Sequence, residues 1–249
     1  EVYRMTHRQA VDAGIVVPLK LLALNVTETY ANWVSRIPQF EVMVSDSGVP
    51  REDAELAIGL HDIRSKFNVS NAFSFHATNT EAKRFEQNAE RCLAMLDSSN
   101  GATDTTQILR VSGHTPSVTR QQVLANVATS RRNFTLVTNA RLLATGVDVP
   151  NVDLVVIAST RKSHVDILQM AGRASRTLEG KDFGYVLVPA RDTMINGTRT
   201  LDDVSMGTIG NVLKAWLEED EQLQQALQAE MRSAGKLERR VQIMDILED

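Results

Sequence analysis

A chain of 249 residues with 43% hydrophobic content can bury a sizeable core and carry one domain with appendages. Its single cysteine, Cys92, excludes an intrachain disulfide and fits a reducing, cytoplasmic setting, and no run reaches the ~18 apolar residues of a membrane helix. The net charge of −4 argues against a protein that coats nucleic acid with its whole surface, but the charge is unevenly placed. Residues 105–176 hold nine Lys/Arg against three acids, whereas residues 201–249 hold eleven acids against five bases. The histidines (His7, His61, His76, His114, His164) are scattered without zinc-like spacing, so no metal site is expected.

In chain order, Thr6 and Gln9 form a capping-box pattern for a short helix over 6–14, which Gly14 stops. Residues 15–26 read as a strand, or two strand pieces around Pro18. Across 27–50, Trp33, Ile37 and Phe40 could pack, but Pro38 and the Ser-Asp-Ser-Gly run at 45–48 point to irregular structure. A helix is predicted from Pro50, with Glu52, Asp53 and Glu55 near the positive end of its dipole and Arg64 and Lys66 near the other. A strand–helix alternation follows: strand 71–76, helix 80–97, polar loop 98–106, strand 107–112, then a helix capped by Thr115 and running to about 129. Strands at 134–137 and 153–158, a helix over 164–176 and a strand at 183–188 continue it. Short apolar strands alternating with helices predict an α/β fold, a parallel sheet covered on both faces. Ligands of such sheets sit at the carboxyl ends of the strands, where His76, Gly113, His114 and Thr138 fall. The acidic tail over about 206–247 is predicted helical, with Leu213, Trp216, Leu217, Leu223, Leu227 and Met231 spaced to pack on the domain.

Two blocks organise the chain. The first is Thr138-Asn-Ala-Arg141-Leu-Leu-Ala-Thr-Gly146-Val-Asp148-Val-Pro150, and the second is Gln169-Met-Ala-Gly172-Arg173-Ala-Ser-Arg176. Ser163, with Asp166 three residues on, predicts the start of the helix that carries the second block. On one continuous helix Gln169, Arg173 and Arg176 share a face, a forked donor array suited to phosphate oxygens.

Together these blocks resemble motifs V and VI of superfamily 2 helicases, in the order that family uses. Ala72-Phe-Ser-Phe-His76-Ala-Thr78 is similar to its motif IV, and Val111-Ser-Gly113-His114 with Arg120 to the glycine-containing loop that follows. The resemblance implies the second RecA-like lobe of such an enzyme, of a restriction-associated or related kind. It divides the chain into an inter-lobe link and entry strand (1–50), the lobe itself (51–192) and a helical acidic extension (193–249). It also implies that ATP with Mg²⁺ binds between this lobe and a first lobe, with the metal held mainly by the latter. Arg173 and Arg176 would act as arginine fingers, Gln169 would orient phosphate or the attacking water, and Gly146, Asp148 and Gly172 would approach the nucleotide. Thr138, Gly113, His114, His76 and Arg141 would line a nucleic-acid strand, DNA favoured over RNA.

No Gly-x-x-x-x-Gly-Lys-Ser/Thr loop occurs, since Gly180-Lys181 and Gly235-Lys236 are followed by Asp and Leu. No Asp-Glu-x-Asp/His block occurs either, so the chain by itself is expected to be inactive towards ATP. The alternatives are a RecA-like interaction module that binds nucleic acid or protein without catalysis, and a doubly wound enzyme for a small metabolite. The latter would predict an acid/base pair or a glycine-rich loop after the first strand, and neither is present.

Overall fold

The computed structural model describes residues 6–99, 106–129, 134–140, 149, 151–195 and 198–219. The alternation builds a six-stranded sheet of β1 (Leu19–Asn25), β2 (Asn71–Phe75), β3 (Gln107–Arg110), β4 (Thr135–Asn139), β5 (Leu154–Ile157) and β6 (Gly184–Ala190). Its order is β1-β6-β5-β2-β4-β3, and every pairing is parallel. The helices are α1 (His7–Asp12), α2 (Val26–Arg36), α3 (Pro38–Asp46), α4 (Arg51–Lys66), α5 (Asn79–Ser99), α6 (Ser117–Thr129), α7 (His164–Ala171) and α8 (Asp203–Glu219).

Because side chains alternate along a strand, each strand feeds two cores. Leu22, Leu24, Ala72, Leu136, Leu154 and Leu187 point to one face, where they meet Tyr30, Phe40, Ile58, Phe85 and Leu93 of α2, α3, α4 and α5. Leu21, Phe73, Val137, Val155, Val186 and Val188 point to the other, where they meet Val127, Ile167, Met170, Val212 and Ala215 of α6, α7 and α8. The sheet is thus covered on both faces, as the unbroken apolar strands require.

Local chemistry sets the boundaries. Thr6 and Gln9 make the expected reciprocal cap on α1, and Gly14 turns the chain with a φ of 69°. Thr78 Oγ1 accepts the Glu81 amide at 3.1 Å at the start of α5, and the Glu81 carboxylate accepts the Ala77 amide at 3.1 Å.

Three expectations change. Residues 27–50 are not irregular: Asn25 caps α2 through the Glu28 amide, and Pro38 opens α3 instead of breaking a helix. Proline lacks only an amide that the first turn leaves unpaired anyway, so it suits that position. The helix predicted over 164–176 ends at Ala171. Finally, a two-stranded antiparallel hairpin, β7 (Asp192–Ile195) and β8 (Thr198–Leu201), follows β6 where no strand was expected. Of the predicted helical tail, α8 lies within the described residues, and Leu213 and Trp216 pack against the second core as expected. Leu223, Leu227 and Met231 lie outside the described residues.

Candidate functional site

The predicted residues separate to opposite ends of the sheet. At the carboxyl ends lie His76, Thr138, Gly113 and His114. His76 follows β2, and its amide donates to the Asn139 carbonyl at 2.8 Å. Its imidazole is buried, 3.1 Å from Ser74 Oγ and with its ring 4.9 Å from that of Phe85. Burial, together with the nearby positive charges of Arg161 and Arg84, lowers its pKa to about 4. The ring is therefore neutral at ordinary pH.

Thr138 lies inside β4 and not just beyond it. It pairs with Ser74 of β2 and Arg110 of β3, is fully buried, and its hydroxyl donates to the Leu109 carbonyl at 3.5 Å. The ladder runs two residues past the apolar stretch because two flanking strands offer partners there, a fact invisible in local hydropathy. Gly113 and His114 are exposed in a turn in which Thr115 Oγ1 accepts the Ser112 amide at 2.9 Å and Ser112 Oγ accepts the His114 amide at 3.3 Å. A Cβ at Gly113 would meet no atom within 4 Å, so this backbone stands open. Arg141, Gly146 and Asp148 lie outside the described residues.

At the amino ends lies the second block. Ser163 caps α7 as predicted, accepting the Asp166 amide at 3.2 Å, and Gln169 is exposed on the helix. Gly172 is the helix C-cap, and tight turns follow: the Arg173 amide donates to Met170 at 3.0 Å and the Ala174 amide to Ala171 at 2.9 Å. The chain then joins the sheet edge. The Val17 amide donates to the Ser175 carbonyl at 2.7 Å, and Arg176 forms an antiparallel bridge with Val16. Gly184, the first residue of β6, permits this approach, because a Cβ there would sit 2.1 Å from the Ala174 carbonyl oxygen. Gln169, Arg173 and Arg176 therefore do not share a helix face. Arg173 is buried and Arg176 half-exposed, both beyond the last helical turn.

Two residues here escaped the sequence reading. Lys181 Nζ donates to the Val152 carbonyl at 2.6 Å. Burial lowers its pKa to about 8, with Asp153 opposing and Arg176 reinforcing the shift, so it sits in the same electrostatic neighbourhood as Arg176. Arg161, buried in the loop between β5 and α7, donates to the carbonyls of His76 and Ala140, the latter at 3.1 Å. A buried cation in a loop leaves no periodicity signal, and only its neighbour Ser163 hinted at the turn. Residues leading out of the first block enter β5 at this same amino end: Asn151 is buried and donates to the Val127 carbonyl, and Asp153 accepts the Ser70 and Asn71 amides at 2.9 and 3.1 Å. A cavity of about 340 Å³ opens beside them, with Phe67, Lys181 and Tyr185 among its walls.

Residues 64–177 match the helicase conserved C-terminal domain. The match covers a little under half of the chain, and the fold around it is that of the RecA-like structures below. The lobe is similar to the ATP-dependent Type ISP restriction-modification enzyme LlaBIII bound to DNA, at TM-score 0.73 and 24% identity, over 88% of this chain and 15% of that one. It is also similar to a fragment of a putative HsdR subunit of a type I restriction enzyme from Vibrio vulnificus, at TM-score 0.55 and 17% identity, over 80% of this chain and 41% of that one. A third likeness is to T4 UvsW, at TM-score 0.50 and 18% identity, over 82% of this chain and 40% of that one. Comparison with curated proteins found no match. The chain thus spans less than half the length of each of these structures.

Proposed function

We propose that this lobe is the C-terminal half of an ATP-dependent translocase, with nucleic acid at the carboxyl ends of its sheet and nucleotide at the amino ends. The observation that carries the reading is the separation of the two predicted sets of residues, with α7 joining the two ends. At the amino end the donor set fits polyphosphate: Arg176 is half-exposed and fastened to the sheet edge, Lys181 lies nearby, and Arg173 is buried in the turn that leads to Arg176. Guanidiniums so placed stabilise the negative charge that grows on a transferring phosphoryl group. ATP with Mg²⁺ supplies that group when bound. Magnesium would be held mainly by a first RecA-like lobe. That lobe would also supply the phosphate-binding loop this sequence lacks, so the chain alone should not hydrolyse ATP.

At the carboxyl end, Gly113 and His114 offer an open backbone and an exposed side chain to a strand, and Arg141 belongs to the same proposal. His76 and Thr138, both buried, would shape that surface from beneath. The DNA named with LlaBIII favours DNA over RNA as the track. No helix among the described residues is long and apolar enough to cross a membrane.

The test is ATP hydrolysis by the chain joined to its upstream lobe, with single-stranded DNA, duplex DNA or RNA, beside Arg173→Ala. Stimulation by one nucleic acid and a loss of at least ~10³-fold in the variant are expected. An extended protein inactive with all three, or a variant as active as the parent, would leave the interaction module as the better account.

A further inference from the structure

We propose that Arg161 is a positioning residue that ties the nucleic-acid end of the lobe to the arginine block at its far end. The inference rests on the reading above and adds the link between its two halves. The loop from Ala158 to Ser163 leaves β5 and enters α7, and it is fastened on two sides. On the helical side, Asn211 of α8 donates to the Arg161 carbonyl at 2.8 Å, and the Thr160 and Thr208 hydroxyls lie 2.9 Å apart. On the sheet side, the Arg161 guanidinium donates to the carbonyls of His76 and Ala140.

Those two carbonyls are not equivalent positions on one loop. His76 directly follows β2, which adjoins β5, and Ala140 directly follows β4, one strand further away, so the side chain reaches across a distance of up to about two strand spacings, ~10 Å. Ala140 also opens the Arg141–Asp148 stretch that carries the rest of the first block. A single guanidinium therefore holds His76 and Ala140, just past the ends of two strands, relative to the start of α7. Two residues beyond Arg161 the Ser163 cap begins that helix, a rigid span of eight residues, ~12 Å, that ends in Gly172 and Arg173. A displacement of His76 or Ala140 by a bound strand is thus passed to the arginine block through one side chain and one helix.

Both bonds come from one terminal nitrogen, Nη2. Lysine keeps the charge at this position, but its shorter stem stops short of the place where that nitrogen meets the two carbonyls. In the full-length natural protein, Arg161→Lys should reduce the stimulation of ATP hydrolysis by nucleic acid about tenfold and raise the apparent KM for nucleic acid. Unstimulated hydrolysis should stay within about twofold, with the Tm within a few degrees. Amide exchange on the same pair reads the link without ATP or nucleic acid. Exchange should quicken both at 74–78 and 138–140 and at 172–177, while α4 and α5 are unchanged. Parental stimulation in Arg161→Lys, or stimulated and unstimulated rates falling together in step with Tm, would overturn the proposal. So would exchange that quickens only beside residue 161. If the parent shows no stimulation by any nucleic acid, the translocase reading fails, and exchange confined to one end then removes the link as well. Arg161→Ala, which opens a cavity and leaves the two carbonyls without this donor, serves as the second variant and should exaggerate the exchange change at both ends.

Discussion

His76 shows how burial rewrites a residue's chemistry. In an unfolded chain its imidazole takes a proton near pH 6.5, whereas in the fold it does so only near about 4. Between those values the unfolded chain binds more protons, so stability is full above pH 6.5 and is lost as pH falls towards 4. The loss from this one group amounts to at most ~3 kcal/mol. Urea midpoints at pH 7.5 and 5 should therefore converge in His76→Gln relative to the parent; an unchanged gap would show that another group sets the acid sensitivity. The sequence placed this histidine at the end of a strand. It could not show that Arg84 and Phe85 of α5 and Arg161 of the loop before α7 converge with Ser74 on it, because those elements are separate segments of the chain.

α7 starts on a local signal and ends on a tertiary one. Ser163 was legible as a cap because the requirement is local: a hydroxyl three residues before a free amide. Ser163→Ala should cost ~1 kcal/mol of stability, measured by chemical denaturation. The end of the same helix was not legible. Nothing between Gln169 and Arg176 forbids helix, and what stops it is the tertiary pull of Val17 on Ser175 and of Val16 on Arg176. Gly184 makes room for that pull. Gly184→Ala would place a Cβ 2.1 Å from the Ala174 carbonyl, with backbone on both sides of the clash. A loss of ~2–4 kcal/mol and altered exchange at 172–177 are expected. Parental stability in Gly184→Ala would mean that the 174–176 segment can move off the sheet freely. The hairpin β7–β8 was missed for another reason: its sequence is polar, its strands have four residues each, and pairing with one another is all that marks them.

For the whole molecule, the entry strand decides the boundary. β1 pairs with β6 over seven residues, and Leu22, Leu24, Val26, Tyr30, Phe40 and Val44 belong to the same core as α4, α5 and β2. A chain beginning at residue 51 would expose the β6 edge and lose those six side chains from the core. It should unfold without a cooperative thermal transition and elute as aggregate, whereas a monomer with a sharp transition would show that 51–192 folds on its own. The expected division sets 1–50 apart as a link and entry strand, and within the described residues β1 pairs with β6 while α2 and α3 share a core with α4 and α5.

By itself the sequence determined the fold class, the strand–helix alternation, several helix starts and the two blocks that resemble those of helicases. Each of these is written in neighbouring residues: apolar runs, capping pairs and motif spacing act within a few residues of chain. Only the tertiary structure decided that Thr138 and the arginines of the second block lie at opposite ends of one sheet, that Thr138 is sealed inside a strand, and that Arg173 and Arg176 lie beyond their helix. It also decided that Arg161 joins strand ends contributed by distant parts of the chain. Those features depend on strand order and on contacts between residues tens to more than a hundred positions apart, which no local pattern records.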